Sequence, residues 1–208
     1  MNKKDDKLIS IFSDIKENKK IIDYTIKIQN NVNIYADSKV VAITVSKNDI
    51  SLGIVARAMS EVYALQNQST ILIDCDMYDP LLNNVFNKES VEIGLNNILD
   101  DNLNMEKLVN KISNNLNVVF TNKTNYPTEI FKSKQYFEFI CNAKEQYEHV
   151  ILVMPSMVEH QDILLNKDLI TAVLLVARKN KVSKKDLFDS IQTLETNSFP
   201  YVGTVYLK

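Results

Sequence analysis

At 208 residues the chain is long enough for one domain with a substantial core, and its 45% hydrophobic and 24% charged residues are ordinary for a globular fold in water. A net charge of -2 offers no general attraction for nucleic acid, and two cysteines, Cys75 and Cys141, are too few for a disulfide framework or a thiolate zinc site. No apolar run approaches the roughly 18 residues of a membrane span, and the start MNKKDDKLISIF lacks the apolar stretch of a secretory signal, so a cytoplasmic protein without direct membrane insertion is expected.

Residues 1–38 are polar, with Ile21, Ile22, Ile26, Ile28 and Val32 at helical spacing. They are predicted to form an N-terminal helical extension of one or two helices, ahead of a main domain over 39–208. From residue 39 short β-branched runs alternate with longer amphipathic stretches. The runs at 39–45, 69–75, 117–121, 149–154, 172–177 and 201–207 are predicted strands, several of them apolar on consecutive positions as in strands covered on both faces. Helices are predicted near 51–66, 94–100, 104–113, 127–146, 162–169 and 183–196. This alternation implies an α/β fold: a doubly wound, mostly parallel sheet with helices on both faces, and with the first strand flanked by 69–75 and 149–154. Ligands of such folds bind at the carboxyl ends of the strands.

The first strand-to-helix loop, VSKNDISLG from Val45 to Gly53, stands where a phosphate-binding loop belongs. Phosphate binding there needs glycines whose backbone N–H groups converge, a lysine, and a hydroxyl for magnesium. The chain has three glycines in all, Gly53, Gly94 and Gly203, so the loop is degenerate, and Asp49 or Ser51 is expected simply to cap the following helix. After the second strand, STILIDCDMYDP places Asp74 and Asp76 two residues apart. Strand alternation would set both carboxylates on one face, either for metal or phosphate chemistry or as caps on backbone N–H groups. The 149–154 strand closes on Met154, where a nucleotide hydrolase would carry an aspartate. His149 and His160 have no partners at metal-ligand spacing, and Ser156 lacks the surroundings of a nucleophile elbow. The basic stretch at 177–185, ARKNKVSKK, reads as a solvated loop and helix start.

On these residues the chain resembles the bacterial tyrosine kinases of capsule and exopolysaccharide operons, relatives of the MinD and ParA partitioning ATPases and P-loop NTPase-like in fold. The resemblance spans about residues 23–208. Asp74, Asp76 and Pro80 match a D-x-D-x-R-x-P pattern, with Tyr78 at the arginine; Phe86, Gly94 and Leu95 match the next segment. Pro127, Thr128, Glu129, Ile130, Phe131 and Ser133 echo a further one, followed by Asp162 and by Pro200, Gly203 and Val205. The phosphate machinery departs from the pattern. Lys47, Asp49, Ser51, Leu52 and Gly53 occupy the degenerate loop, with Leu52 at the lysine and Gly53 at the hydroxyl, while Met154 replaces the magnesium aspartate. The N-terminal oligomerisation motif reads Asp23, Tyr24, Thr25, Ile26 without its arginine, and no tyrosine cluster follows the last strand.

The resemblance implies a pseudokinase: no catalytic residue, no metal and no cofactor are expected, and Asp74 and Asp76 are the only family-equivalent survivors. Each lost charge-assisted hydrogen bond is worth roughly 1.5–3 kcal/mol, so turnover should vanish. It also implies partners, namely the cytoplasmic tail of a membrane polysaccharide-export activator, which would recruit the protein to the inner face of the membrane, or an active kinase homologue. The family's ring is not expected here, though smaller oligomers stay open. Two other readings remain: a rebuilt ATP- and magnesium-dependent enzyme using Asp74, Asp76 and Lys47, and a positioning factor of the MinD and ParA kind.

Overall fold

The computed structural model describes residues 18–34 and 39–207. The rest of the expected N-terminal extension and its boundary at residue 38 lie outside the described residues. One seven-stranded sheet organises the molecule: β1 (Val40–Val45), β2 (Thr70–Asp74), β3 (Val109–Lys111), β4 (Leu116–Val119), β5 (His149–Val153), β6 (Ala172–Arg178) and β7 (Tyr201–Leu207). Their order across the sheet is β3-β4-β2-β5-β1-β6-β7. Every pairing is parallel except β3 with β4.

Side chains of β1 alternate between two cores, as the period of two in a strand requires. Val40 and Ala42 join one, with α4 (Pro127–Lys132), α5 (Lys134–Gln146) and α6 (Lys184–Thr196) on that face. Val41, Ile43 and Val45 join the other, with α1 (Lys19–Ile34) and α2 (Ser51–Leu65). α1 is stitched to α2 by Gln29 Nε2 donating to the Met59 carbonyl (3.0 Å) and by Tyr63 Oη donating to Asn33 Oδ1 (3.2 Å). Among the described residues no helix is long and apolar enough to cross a membrane.

Five expectations are corrected. β1 is flanked by β5 and β6, not by β2: Val40 pairs with Val150, and His149 pairs with Thr70 on the far side of β5. β5 is buried on both faces from Val150 onward and takes the position between β1 and β2. Helix 104–113 is instead a 3-10 turn (Met105–Leu108) running into β3, because the Ser113 to Asn115 turn folds Ile112 back onto Leu116 (N to O, 2.9 Å) and recruits the segment as an edge strand. The helix at 127–146 breaks at Ser133, whose extended backbone ends α4 and whose hydroxyl accepts the Tyr136 N–H (3.1 Å) to start α5. Stretches 94–100 and 162–169 contain only the short 3-10 turns Leu95–Asn97 and Asp162–Asn166.

Candidate functional site

The carboxyl ends of β1, β2, β5 and β6 converge on one side of the sheet, and the sequence-derived candidates gather there. Leaving β1, the chain passes buried Ser46, exposed Lys47 and half-buried Asn48 before Asp49, which is 8% exposed. Asp49 Oδ1 accepts the Ser51 N–H (2.9 Å) at the start of α2, and Arg178 at the end of β6 donates to its Oδ2 (2.5 Å). A helix start gathers unsatisfied N–H groups and partial positive charge and therefore attracts an anion. Here the chain supplies that anion itself. The capping role expected of Asp49 or Ser51 falls to Asp49. Arg178, read from sequence as part of a solvated stretch, is nearly buried and belongs to the site, a correction that its place directly after the apolar run of β6 could have signalled.

Leu52 and Gly53 sit inside α2 rather than in an open loop. Leu52 is fully buried in the core. A Cβ on Gly53 would lie 2.9 Å from Val85 Cγ2 and 3.3 Å from Leu81 Cβ, so the glycine serves close packing against the single turn α3 (Leu82–Val85). Met154 is likewise fully buried in the core, its N–H bonded to the Ile43 carbonyl (2.9 Å). Lys47 makes no ion pair among the described residues.

β2 ends at Asp74, so the alternation expected to align the two aspartates stops there, and a turn joins them instead. Asp74 Oδ1 accepts the Asp76 N–H (3.2 Å), and its Oδ2 accepts those of Leu81 (3.1 Å) and Leu82 (3.0 Å). Asp76 Oδ1 accepts from Tyr78 (3.2 Å) and Asp79 (3.0 Å). Both carboxylates thus organise the β2 loop through backbone donors. Burial pushes Asp74 up to about 7, against the lowering effect of the Leu82 N–H, and the charge of Asp76 adds to the rise. Burial also raises Asp76 to about 6. The two loops are joined by Asn48 Nδ2 donating to Asp79 Oδ2 (2.5 Å), with Lys123 3.2 Å from Asp79 Oδ1.

Tyr78, at the position of the missing arginine, stacks on His160 with ring centroids 3.5 Å apart and planes inclined by 4°. Its phenol is raised above the ordinary range by burial and by its hydrogen bond to Asp162, which also accepts from Thr128 Oγ1 (3.3 Å). Ser156 donates to Glu159 (2.6 Å). Among the described residues no group of three or more His, Cys, Asp or Glu side chains is arranged to hold a metal ion.

No protein-family model and no curated protein matches the sequence. Solved structures do. The kinase domain of the Escherichia coli tyrosine kinase ETK superposes with a TM-score of 0.81 at 20% identity, covering 89% of this chain and 74% of that one. The chimerical protein CapA2B2 superposes at 0.80 and 19% identity, covering 86% and 81%. The fold is that of the bacterial tyrosine-kinase domains. MinD from Pyrococcus horikoshii, complexed with Mg-ADP, superposes more distantly, at 0.67 and 14% identity over 81% and 69% of the two chains. The mostly parallel sheet is accordingly the P-loop NTPase architecture.

Proposed function

We propose that the chain is a catalytically silent homologue of the capsule and exopolysaccharide tyrosine kinases, acting in the cytoplasm as a regulatory or scaffold subunit through protein contacts. The observation that carries this reading is the Asp49 carboxylate seated on the Ser51 N–H and neutralised by Arg178. A nucleotide phosphate entering there would find the Ser51 N–H already taken by a carboxylate that Arg178 holds in place. The remaining residues do not fit magnesium and a nucleotide either. Leu52 and Met154 are core side chains, Gly53 has no room for a hydroxyl-bearing side chain, and Asp74 and Asp76 are already held by backbone donors. The partners inferred from the resemblance are the cytoplasmic tail of a membrane activator and an intact kinase homologue.

Adding the purified chain to an intact tyrosine kinase of the same cell tests this. The expected result is a changed rate of autophosphorylation in the intact kinase, with no label on the chain when it is incubated alone with labelled ATP. Label incorporated by the chain alone would contradict it.

The rival reading, a rebuilt enzyme, draws on specific features. Asp74 and Asp76 titrate near neutrality, as catalytic carboxyls do, and the Ser46 and Ser51 hydroxyls are buried without a protein partner among the described residues. Nucleotide hydrolysis lost on Asp76→Asn would favour it.

A further inference from the structure

Among the described residues the sheet has two free edges, and they are built differently. β3 is three residues long and ends in Lys111, the short, charged design that discourages pairing with another chain. β7 runs for seven residues, YVGTVYL, with neither a charge nor a proline. After an irregularity opposite Val173 and Leu174, Gly203 to Leu207 keep regular register with β6. The Lys179 N–H donates to the Leu207 carbonyl (2.8 Å), so the backbone groups of Leu207 face β6. By alternation those of Val205 and Gly203 do so as well, and Thr204 and Tyr206 turn their N–H and C=O groups outward. Val205 and Leu207 also line a groove of about 630 Å³ between β7 and α1, floored by Met59 and Leu174.

We propose that a second copy of this chain pairs with that edge, β7 against β7, antiparallel about a two-fold axis at Val205. In this register Thr204 of each copy lies opposite Tyr206 of the other, and their outward N–H and C=O groups exchange hydrogen bonds on both sides of the axis. Gly203 lies opposite Leu207 of the second copy. A Cβ at Gly203 would find no atom within 4 Å, and its φ of +153° bars other residues, so Leu207 of the second copy meets open space on the groove side. A shift of one residue would set outward groups against inward ones, and a shift of two would lose the match of Leu207 to the gap. An acyl chain could fill the groove but would leave the strand's N–H and C=O groups unpaired, whereas a second copy satisfies them and fills the gap together.

Sedimentation of the full chain at tens of micromolar concentration should give twice the 23.8 kDa of one molecule, with slow amide exchange at Thr204 and Tyr206. Tyr206→Pro removes an outward N–H that takes no part in pairing with β6, and should give a monomer of unchanged circular dichroism, while Tyr206→Phe stays dimeric. If the proline variant does not fold, slow exchange of the two amides in the unmodified dimer carries the test. A monomeric native chain, a dimer that survives Tyr206→Pro, a dimer in which these amides exchange freely, or an edge that takes up a foreign apolar peptide while the chain stays monomeric would each overturn the proposal.

Discussion

Asp49 joins the start of α2 to the end of β6 through Ser51 and Arg178. Removing one charge of a buried pair leaves the other uncompensated. Asp49→Asn should therefore lower stability by roughly 3 kcal/mol in urea denaturation, and added phosphate or sulfate should raise the melting temperature of the variant more than that of the native chain. An unchanged melting curve would contradict the role of Asp49 as internal anion. Asp74 gives a second test. Its pKa of about 7 in the folded chain stands above the ordinary 3.8, so the folded state holds the proton more tightly than the unfolded state between those values. This contribution to stability is fully present below pH 4 and is lost as pH rises through about 7, with Asp76 acting the same way through about 6. Chemical denaturation across pH 4–8 should show the decline, and Asp74→Asn should flatten it; an equal slope in the variant would count against the burial of Asp74. The lone DCD pattern made Asp74 and Asp76 legible in the sequence. For Arg178, the place after the apolar run of β6 signals burial but not the partner, which lies 129 positions away where no local spacing reports the contact.

The elements show where helix chemistry and packing compete. Gly53 lies within the first turns of α2, where alanine has the better intrinsic propensity by about 1 kcal/mol. The 2.9 Å approach to Val85 and 3.3 Å to Leu81 oppose that gain, and overpacking of this kind costs about 1–3 kcal/mol. Gly53→Ala should thus lower stability by about 1 kcal/mol overall, measured by the midpoint of urea unfolding; a stabilised variant would mean that α3 yields freely. Uniformly apolar runs such as β5 and β6 were plain in the sequence, because burial on both faces leaves no alternation to misread. The stretch around Met105 and Leu108 misled, since one turn of 3-10 helix and one of α-helix share nearly the same apolar spacing. The break at Ser133 was hidden inside a single amphipathic pattern, and the serine that divides α4 from α5 reveals itself only through its bonds to Ile130 and Tyr136.

At the scale of the whole molecule, alternation of strands and helices implied the architecture, but not the lateral order of the strands. β5 lies between β1 and β2, a placement decided by tertiary packing between segments roughly 80 to 110 residues apart, as counted from the paired positions Thr70 with His149 and Val40 with Val150. That order brings the ends of β1, β2 and β6 around one site, where the Asp49–Arg178 pair and the backbone-bonded Asp74 and Asp76 lie. Titration calorimetry with ATP and magnesium measures the consequence most directly. A dissociation constant weaker than about 100 μM, corresponding to roughly -5.5 kcal/mol, is expected. Tighter binding, together with transfer of label to tyrosine, would contradict the account and return Asp74 and Asp76 to the role of a working site.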